Sequence, residues 1–403
     1  MYQNLAVIAV LAFAYACVSR RVENSALSGP IVFIAAGMLL GPMGLGLLDL
    51  GIGAEGLRTL AELTLAMVLF TDAANADLGR GRSVAALPAR LLLIGLPLTI
   101  VLGFGLAVLL FPGLGIAELA LLGAILAPTD AALGKPVVTN QAVPANLREA
   151  LNIESGLNDG ICVPIVLILL GVAMGGAAEA HPLHHAVAVV VEEIGIGLII
   201  GAVLAALATV ALHPATARGW LTESWSGIAA VAVAAACFAA AQALGGSGFI
   251  ACFVGGLAFG ALRPPRTRAM LRGAEGAGEA LSFATWVVFG AAVIVHVIDR
   301  ITAPVVIYAL LSLTLVRMLP VLLSLLGSGL SWPDRLFIGW FGPRGLASVV
   351  FAIIILDAGI PGIDTIGVTI VITILFSAVL HGLSANPTIG ALSARWRANG
   401  GRP

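Results

Sequence analysis

LALLGAILAPTDAALGKPVV, residues 119–138, is apolar enough to lie in a bilayer, yet Pro128, Thr129 and Asp130 stand at its centre. Proline has no backbone N–H and clashes with the carbonyl one turn back, so a helix has to break or kink here. In hydrocarbon, backbone groups freed by a break are tolerated only where they meet protein or line a water-filled cavity. A charged Asp130 beside the break adds to the cost, and ionisable groups at such depth need a partner or a task. The stretch predicts an unwound helix facing a polar centre, which requires a surrounding bundle of spanning helices.

Composition supplies that bundle. Of 403 residues 60% are hydrophobic and only 10% charged, against roughly 25% charged in soluble domains. The sequence reads as an all-α polytopic membrane protein, a single integral membrane domain over residues 1–403 with no soluble domain. Hydropathy outlines about 13 transmembrane helices, near 4–19, 26–48, 57–74, 84–111, 116–138, 146–174, 185–212, 225–244, 248–262, 278–298, 303–327, 335–357 and 363–383. The first run has no basic residues before it and no clean cleavage site after it, so it reads as a first span and not a leader. The tail beyond about residue 384 is short, which argues against a large cytosolic regulatory domain.

Charge tests the count independently, because cytoplasmic loops collect Arg and Lys. With the tail as the thirteenth segment, odd-numbered segments hold Arg20, Arg21, Arg80, Arg82, Arg148, Arg218, Arg263, Arg266, Arg268, Arg272, Arg335, Arg395, Arg397 and Arg402, and even-numbered ones only Arg58 and Arg300. One missed helix would invert every later assignment. The N-terminus is therefore expected outside and the C-terminus in the cytoplasm, with nineteen arginines among 20 basic residues suggesting a GC-rich bacterium and its inner membrane. A net charge of −1 offers no basic surface for nucleic acid. Cys17, Cys162, Cys237 and Cys252 all fall in apolar runs, where small buried hydrophobes and no disulfides are expected.

A second interruption, FGPRG at 341–345, stands in the twelfth span. Spans 1–6 and 8–13 form two six-helix sets, each broken at its fifth helix, with the seventh span as connector. Paired interruptions of this kind mark two inverted repeats whose broken helices 5 and 12 cross near the bilayer midplane. Half-helix ends there bring two positive and two negative dipole termini together. Asp130 is placed to offset the positive pair and Arg344 the negative pair.

The sixth span carries LNIESGLNDGICVP, residues 151–164. Glu154 and Asn158 are four apart, as are Ser155 and Asp159, so the four share adjoining stripes of one helix face. A dehydrated alkali cation wants several oxygens; the Asp159 carboxylate, Ser155 hydroxyl, Asn158 amide and a freed carbonyl at Thr129 would supply them. A buried carboxylate holds either a proton or a cation, and that competition suffices for exchange of one against the other. Glu154 pairs more naturally with Arg317, the other deep charge of opposite sign, than with an ion. Asp72, near the end of the third span, either completes the ion site or sits at the cytoplasmic rim. Arg90 and Lys135 lie near span ends and are expected to snorkel. His181, His184 and His185 beside Glu179 read as a solvated outer loop, His296 as interfacial, and Glu192 and Glu193 as a cation-attracting outer mouth.

These residues resemble the electroneutral, NhaP-type branch of the monovalent cation/proton antiporter family. The likeness rests on Thr129–Asp130 in a broken helix, ESxxND at Glu154–Asp159 on the next, and a GxRG-like turn at Gly342–Gly345, and extends over nearly the whole chain through the span count. It implies that Asp159 is the shared Na+/H+ carboxylate, with Ser155 and the Thr129 main chain as co-ligands. It implies that Asn158 and Asp130 hold the crossing and that Glu154 bridges to Arg317. It also implies a homodimer in which a core built around 116–174 and 303–357 moves like an elevator against scaffold and dimerisation spans. An Asn-Asp pair resembles the branch exchanging one cation for one proton. Two departures stand out: the usual TDP is TDA, with Pro128 on the other side of the pair, and the usual GLRG is GPRG. The expected activity is cation/proton antiport, Na+ first and Li+ or K+ as alternatives, with no resident cofactor and no enzymatic reaction. The rival reading is a sodium-coupled symporter of an organic solute, for which no further polar cluster is apparent. An intramembrane aspartyl protease using Asp130 and Asp159 would lack its glycine-flanked motif and leave Arg317 and Arg344 unexplained.

Overall fold

The computed structural model describes residues 2–23, 25, 27–48, 54–76, 82–130, 133–174, 182–262 and 266–398, and every regular element among them is a helix. In chain order these are α1 (Tyr2–Glu23), α2 (Gly29–Leu40), α3 (Ala54–Asn75), and α4 (Arg82–Arg90), which runs through a π turn at Leu91–Gly95 into α5 (Leu96–Leu110). Next come α6 (Ile116–Ile125), the short α7 (Lys135–Thr139), α8 (Ala145–Met174), α9 (Pro182–Ala217), α10 (Glu223–Ala243), α11 (Gly248–Leu262) and α12 (Thr267–Val288), which ends in a π turn at Phe289–Val293. The chain closes with α13 (Ala303–Leu313), α14 (Leu315–Ser324), α15 (Trp332–Trp340), α16 (Leu346–Ala358) and α17 (Ile363–Ala398). Each of the thirteen apolar stretches is helical, the fifth as α6 and α7 about one break and the twelfth as α15 and α16 about the other.

Three boundaries differ from the hydropathy outline for local reasons. α2 stops at Leu40 because Gly41 and Pro42 end its ladder, and a stack of turns then runs to Leu48, with Gly46 at φ +63°. The eleventh span bends at Thr314, where φ −108° and ψ −88° separate α13 from α14. Its hydroxyl donates to Leu310 O at 2.7 Å, and Pro320, which lacks an N–H, follows within two turns. α17 continues as 36 residues, about 54 Å at 1.5 Å per residue, well beyond the ~30 Å hydrocarbon thickness. Its far end is docked: Trp396 donates its indole N–H to Asp334 Oδ1 at 2.8 Å and packs edge-on against Phe337.

The chain divides into two compact units. The first comprises Met1–Leu57, Gly81–Asn158 and Phe283–Pro403. Within it, the two broken spans lie against α17. Gly37 on α2 and Gly41 just past its end bring the backbone onto Val287 O and Ala291, where a Cβ would collide, the close approach that small residues four apart permit between membrane helices. A buried cluster including Leu147, Leu151, Phe337, Phe341, Ile389 and Trp396 ties the start of α8, α15 and the end of α17.

The second unit comprises Arg58–Arg80 and Asp159–Ser282. Its seams are also glycine-lined. Gly197 and Gly201 of α9 face the Ser247 carbonyl just before α11 and the Ala251 carbonyl on it, and Gly256 and Gly260 of α11 face Phe70 and Ala74 of α3. Cys162, Cys237 and Cys252 are buried thiols, whereas Cys17 is exposed on α1 and corrects the expectation that all four are buried. A lone terminal helix with few neighbours leaves even apolar side chains uncovered by protein.

Candidate functional site

α6 ends at Ile125 and α15 at Trp340; Leu126 and Phe341 each donate one last helical bond, to Leu122 O at 3.3 Å and Phe337 O at 3.0 Å, and the chain then runs unwound to Asp130 and to Gly345. Proline at 128 and at 343 removes the donor each ladder would need. The two unwound segments meet directly. Asp130 N–H donates to Pro343 O at 2.8 Å, and the Asp130 carboxylate accepts from Leu346 N–H at 2.7 Å, at the first residue of α16. A carboxylate there faces the positive end of that helix dipole. Arg344, fully buried, donates through Nη1 to Ala127 O at 2.6 Å and Pro128 O at 3.1 Å, the carbonyls left open past the end of α6. Ser348 adds a bond to Ile125 O at 2.8 Å. Each broken helix thus caps the other with a side chain of the appropriate sign.

Glycine makes this crossing possible. A Cβ on Gly345 would collide with the Asp130 carboxylate, and one on Gly342 with the Arg317 guanidinium. Every residue from Phe341 to Val350 is buried, so the segment has no room to yield sideways.

α8 presents its polar face to the first break. Ser155 Oγ donates to Thr129 O at 2.7 Å and Asn158 Nδ2 to Thr129 Oγ1 at 2.8 Å, fixing both ends of that residue. Asn158 Oδ1, buried, has no hydrogen-bond partner among the described residues. Glu154 accepts a fork from Arg317, Nη1 to Oε1 at 2.5 Å and Nη2 to Oε2 at 2.9 Å, with both side chains 2% exposed. A bidentate pair satisfies two buried charges at once. Asp159 is buried on the same helix, next to Asn158 and one turn beyond Ser155. It opens the α8 portion of the second unit, and Asp72, half-buried in the last turn of α3, belongs to that unit too.

Arg90 donates to Leu326 O at 2.6 Å just past α14, where it closes a helix C-terminus. Glu192 is exposed and Glu193 half-buried on α9. His181, Glu179 and the side chains of His184, His185, His296 and Lys135 lie outside the described residues.

One group escaped the sequence reading. His381 of α17, 1% exposed, lies with Nε2 2.9 Å from Trp340 O and Nδ1 2.9 Å from Ser377 O, while Ser377 Oγ accepts Arg344 N–H at 2.6 Å. The only hint in the sequence is Ser377-x3-His381, one turn apart in an otherwise apolar helix. Without the fold nothing shows that they face the second break.

Two broken helices that cap each other across a polar centre frame the comparisons with known proteins. A family model described as sodium/hydrogen exchanger, transmembrane, matches residues 7–390. The chain belongs to the sodium/hydrogen exchanger family. Among curated members related to this exchanger chain, a protein named K(+)/H(+) antiporter NhaP from Alkalimonas amylolytica is 27% identical over 398 residues, 98% of this chain and 67% of that one. A K(+)/H(+) antiporter NhaP2 from Shewanella sp. strain ANA-3 is 27% identical over 370 residues, 88% of this chain and 61% of that one. The chain therefore spans about three fifths to two thirds of these relatives' length. Among solved structures, the sodium proton antiporter MjNhaP1 from Methanocaldococcus jannaschii at pH 8 superposes with a TM-score of 0.72 at 21% identity, covering 94% of this chain and 98% of that one. The exchanger fold of this chain is that fold.

Proposed function

We propose that this chain is a secondary active antiporter that exchanges a monovalent cation for a proton through competition for one carboxylate, Asp159. The observation that carries the reading is the crossing itself. Thr129, in the unwound segment, is held from α8 by Ser155 and Asn158, and α8 carries Asp159 one turn on from Ser155. Asp159, the Ser155 hydroxyl and the Thr129 main chain are the proposed cation oxygens. Oxygen donors of this kind suit a hard cation, and a proton on Asp159 removes the charge that holds it. Asp130 and Arg344 serve the broken helices, Glu154 and Arg317 serve each other, and Asp72 is a further proposed oxygen. The core around 116–174 and 303–357 would carry the site and the remaining spans the scaffold.

Sodium is the proposed cation, with potassium and lithium as outcomes of the same test, since related proteins are named for potassium and for sodium. Further parts of the proposal are one-for-one exchange, a homodimer, a bacterial inner-membrane location, and an N-terminus outside with the C-terminus in the cytoplasm. The arginine distribution supports that orientation. Proteoliposomes with an internal acid pH gradient test the reading: adding Na+, K+ or Li+ should dissipate the gradient, and Asp159→Asn should abolish the response. A wild-type response to an organic solute in the presence of Na+, without cation/proton exchange, would favour the symporter instead.

A further inference from the structure

We infer that Ser377 and His381 are positioning residues for the cation site, setting its affinity by clamping the Phe341–Gly345 turn from α17. The inference rests on the exchange reading above.

The turn is gripped at both ends from one face of α17. At its entry, His381 Nε2 lies 2.9 Å from Trp340 O, the last carbonyl of α15. A carbonyl only accepts, so the grip on Trp340 O requires the tautomer with its proton on Nε2, in which Nδ1 accepts from the Ser377 hydroxyl. At its exit, Arg344 N–H donates to Ser377 Oγ at 2.6 Å. The two gripping residues are themselves joined, Nδ1 of His381 standing 3.2 Å from Ser377 Oγ and 2.9 Å from Ser377 O. The Trp340 ring lies over the His381 ring, centroids 5.2 Å apart and tilted by 34°, and its indole N–H donates to Ser384 Oγ at 2.8 Å one turn further along α17.

Between the two grips lies Pro343, whose carbonyl accepts Asp130 N–H. Arg344, at the second grip, reaches the Ala127 and Pro128 carbonyls. A shift of this turn is therefore passed to the residues on both sides of Thr129, the proposed main-chain ligand. Neither Ser377 nor His381 has to touch the cation, and their contribution is to hold backbone oxygens where a dehydrated ion finds them, which is preorganisation of a binding site.

The test uses the full chain in proteoliposomes, titrating Na+ against dissipation of a pH gradient, alongside Na+-dependent thermal stabilisation of the purified protein. His381→Leu removes both ring nitrogens, and loss of one buried hydrogen bond at a site that must stay ordered is expected to raise the apparent KM for Na+ about tenfold, with the maximal rate far less affected. His381→Gln retains an N–H that can reach Trp340 O and should recover most of that loss, and Ser377→Ala should move KM in the same direction as Leu. A wild-type KM in His381→Leu, or Gln as impaired as Leu, overturns the inference. Where His381→Leu does not yield folded protein, Ser377→Ala decides, and a wild-type KM there overturns it. Asp159→Asn run in parallel separates the two readings. Exchange that survives Asp159→Asn sinks the competition mechanism and leaves the clamp to be judged on thermal stabilisation. A wild type neither active nor stabilised by an alkali cation sinks both.

Discussion

Four polar residues on one face of α8 have different surroundings, and their surroundings separate their roles. Glu154 is committed to Arg317 through two hydrogen bonds in a fully buried pair. Removing one member leaves a lone buried charge, at a cost of about 3–5 kcal/mol. Glu154→Ala should accordingly lower the yield and melting temperature of the purified protein, while the folded fraction keeps a near-normal apparent KM; a large KM change at unchanged stability would make Glu154 a ligand. Asn158 is half engaged, its amide N–H₂ on Thr129 and its oxygen free of hydrogen bonds among the described residues. For Asp159, competition fixes the sign of the pH dependence. Protons displace the cation, so apparent KM should rise as pH falls, by about tenfold per unit once below the carboxylate's own pKa, with maximal rate nearly constant. A KM that stays flat from pH 5 to 9 contradicts a shared carboxylate. The sequence showed that these four belong to one face, since spacing alone sets that. It paired Glu154 with Arg317 as a deep charge of opposite sign, but was silent on which atoms of Thr129 are met by Ser155 and Asn158, because that residue lies 26 and 29 positions away along the chain.

At the scale of elements, the crossing depends on backbone as much as on charge. The breaks at 126–130 and 341–345 were legible because a proline stands there beside a charged residue, whereas Pro164 in the apolar part of α8 leaves that helix continuous; their pairing was legible from their matching places in two six-helix sets. Gly345→Ala would put a methyl group into the Asp130 carboxylate. It should abolish exchange even where folded protein is recovered, whereas Gly276→Ala, on α12 with open space around it, should not; equal effects would show that helix composition and not the crossing matters. The packing seams make a second prediction. Gly256→Leu on α11 would drive a side chain into the Phe70 carbonyl and should reduce thermal stability sharply. Such seams are legible as small residues four apart, but their partners are not, because a small residue permits close approach without choosing the neighbour.

For the molecule as a whole, a carboxylate that carries either one cation or one proton moves the same charge on both legs of the cycle. The exchange rate should then be unchanged when a potassium diffusion potential is imposed across the proteoliposome membrane. A rate that follows the potential rules out one-for-one exchange. Composition, hydropathy period and arginine distribution by themselves determined an all-helical membrane chain with thirteen apolar stretches, two of them broken, because the bilayer leaves a backbone few ways to satisfy its polar groups. The motifs on those broken helices, with ESxxND at Glu154–Asp159 on α8, were enough to point to the exchanger family. The sequence placed Asp130 and Arg344 against helix ends of opposite sign; only the tertiary structure decided which backbone atoms they meet, Leu346 N–H for Asp130 and the Ala127 and Pro128 carbonyls for Arg344, and that Ser377 with His381 hold the far side of the second turn. Those choices depend on how helices distant in sequence are packed, and a buried hydrogen bond forms with whatever acceptor the packing brings within 3 Å.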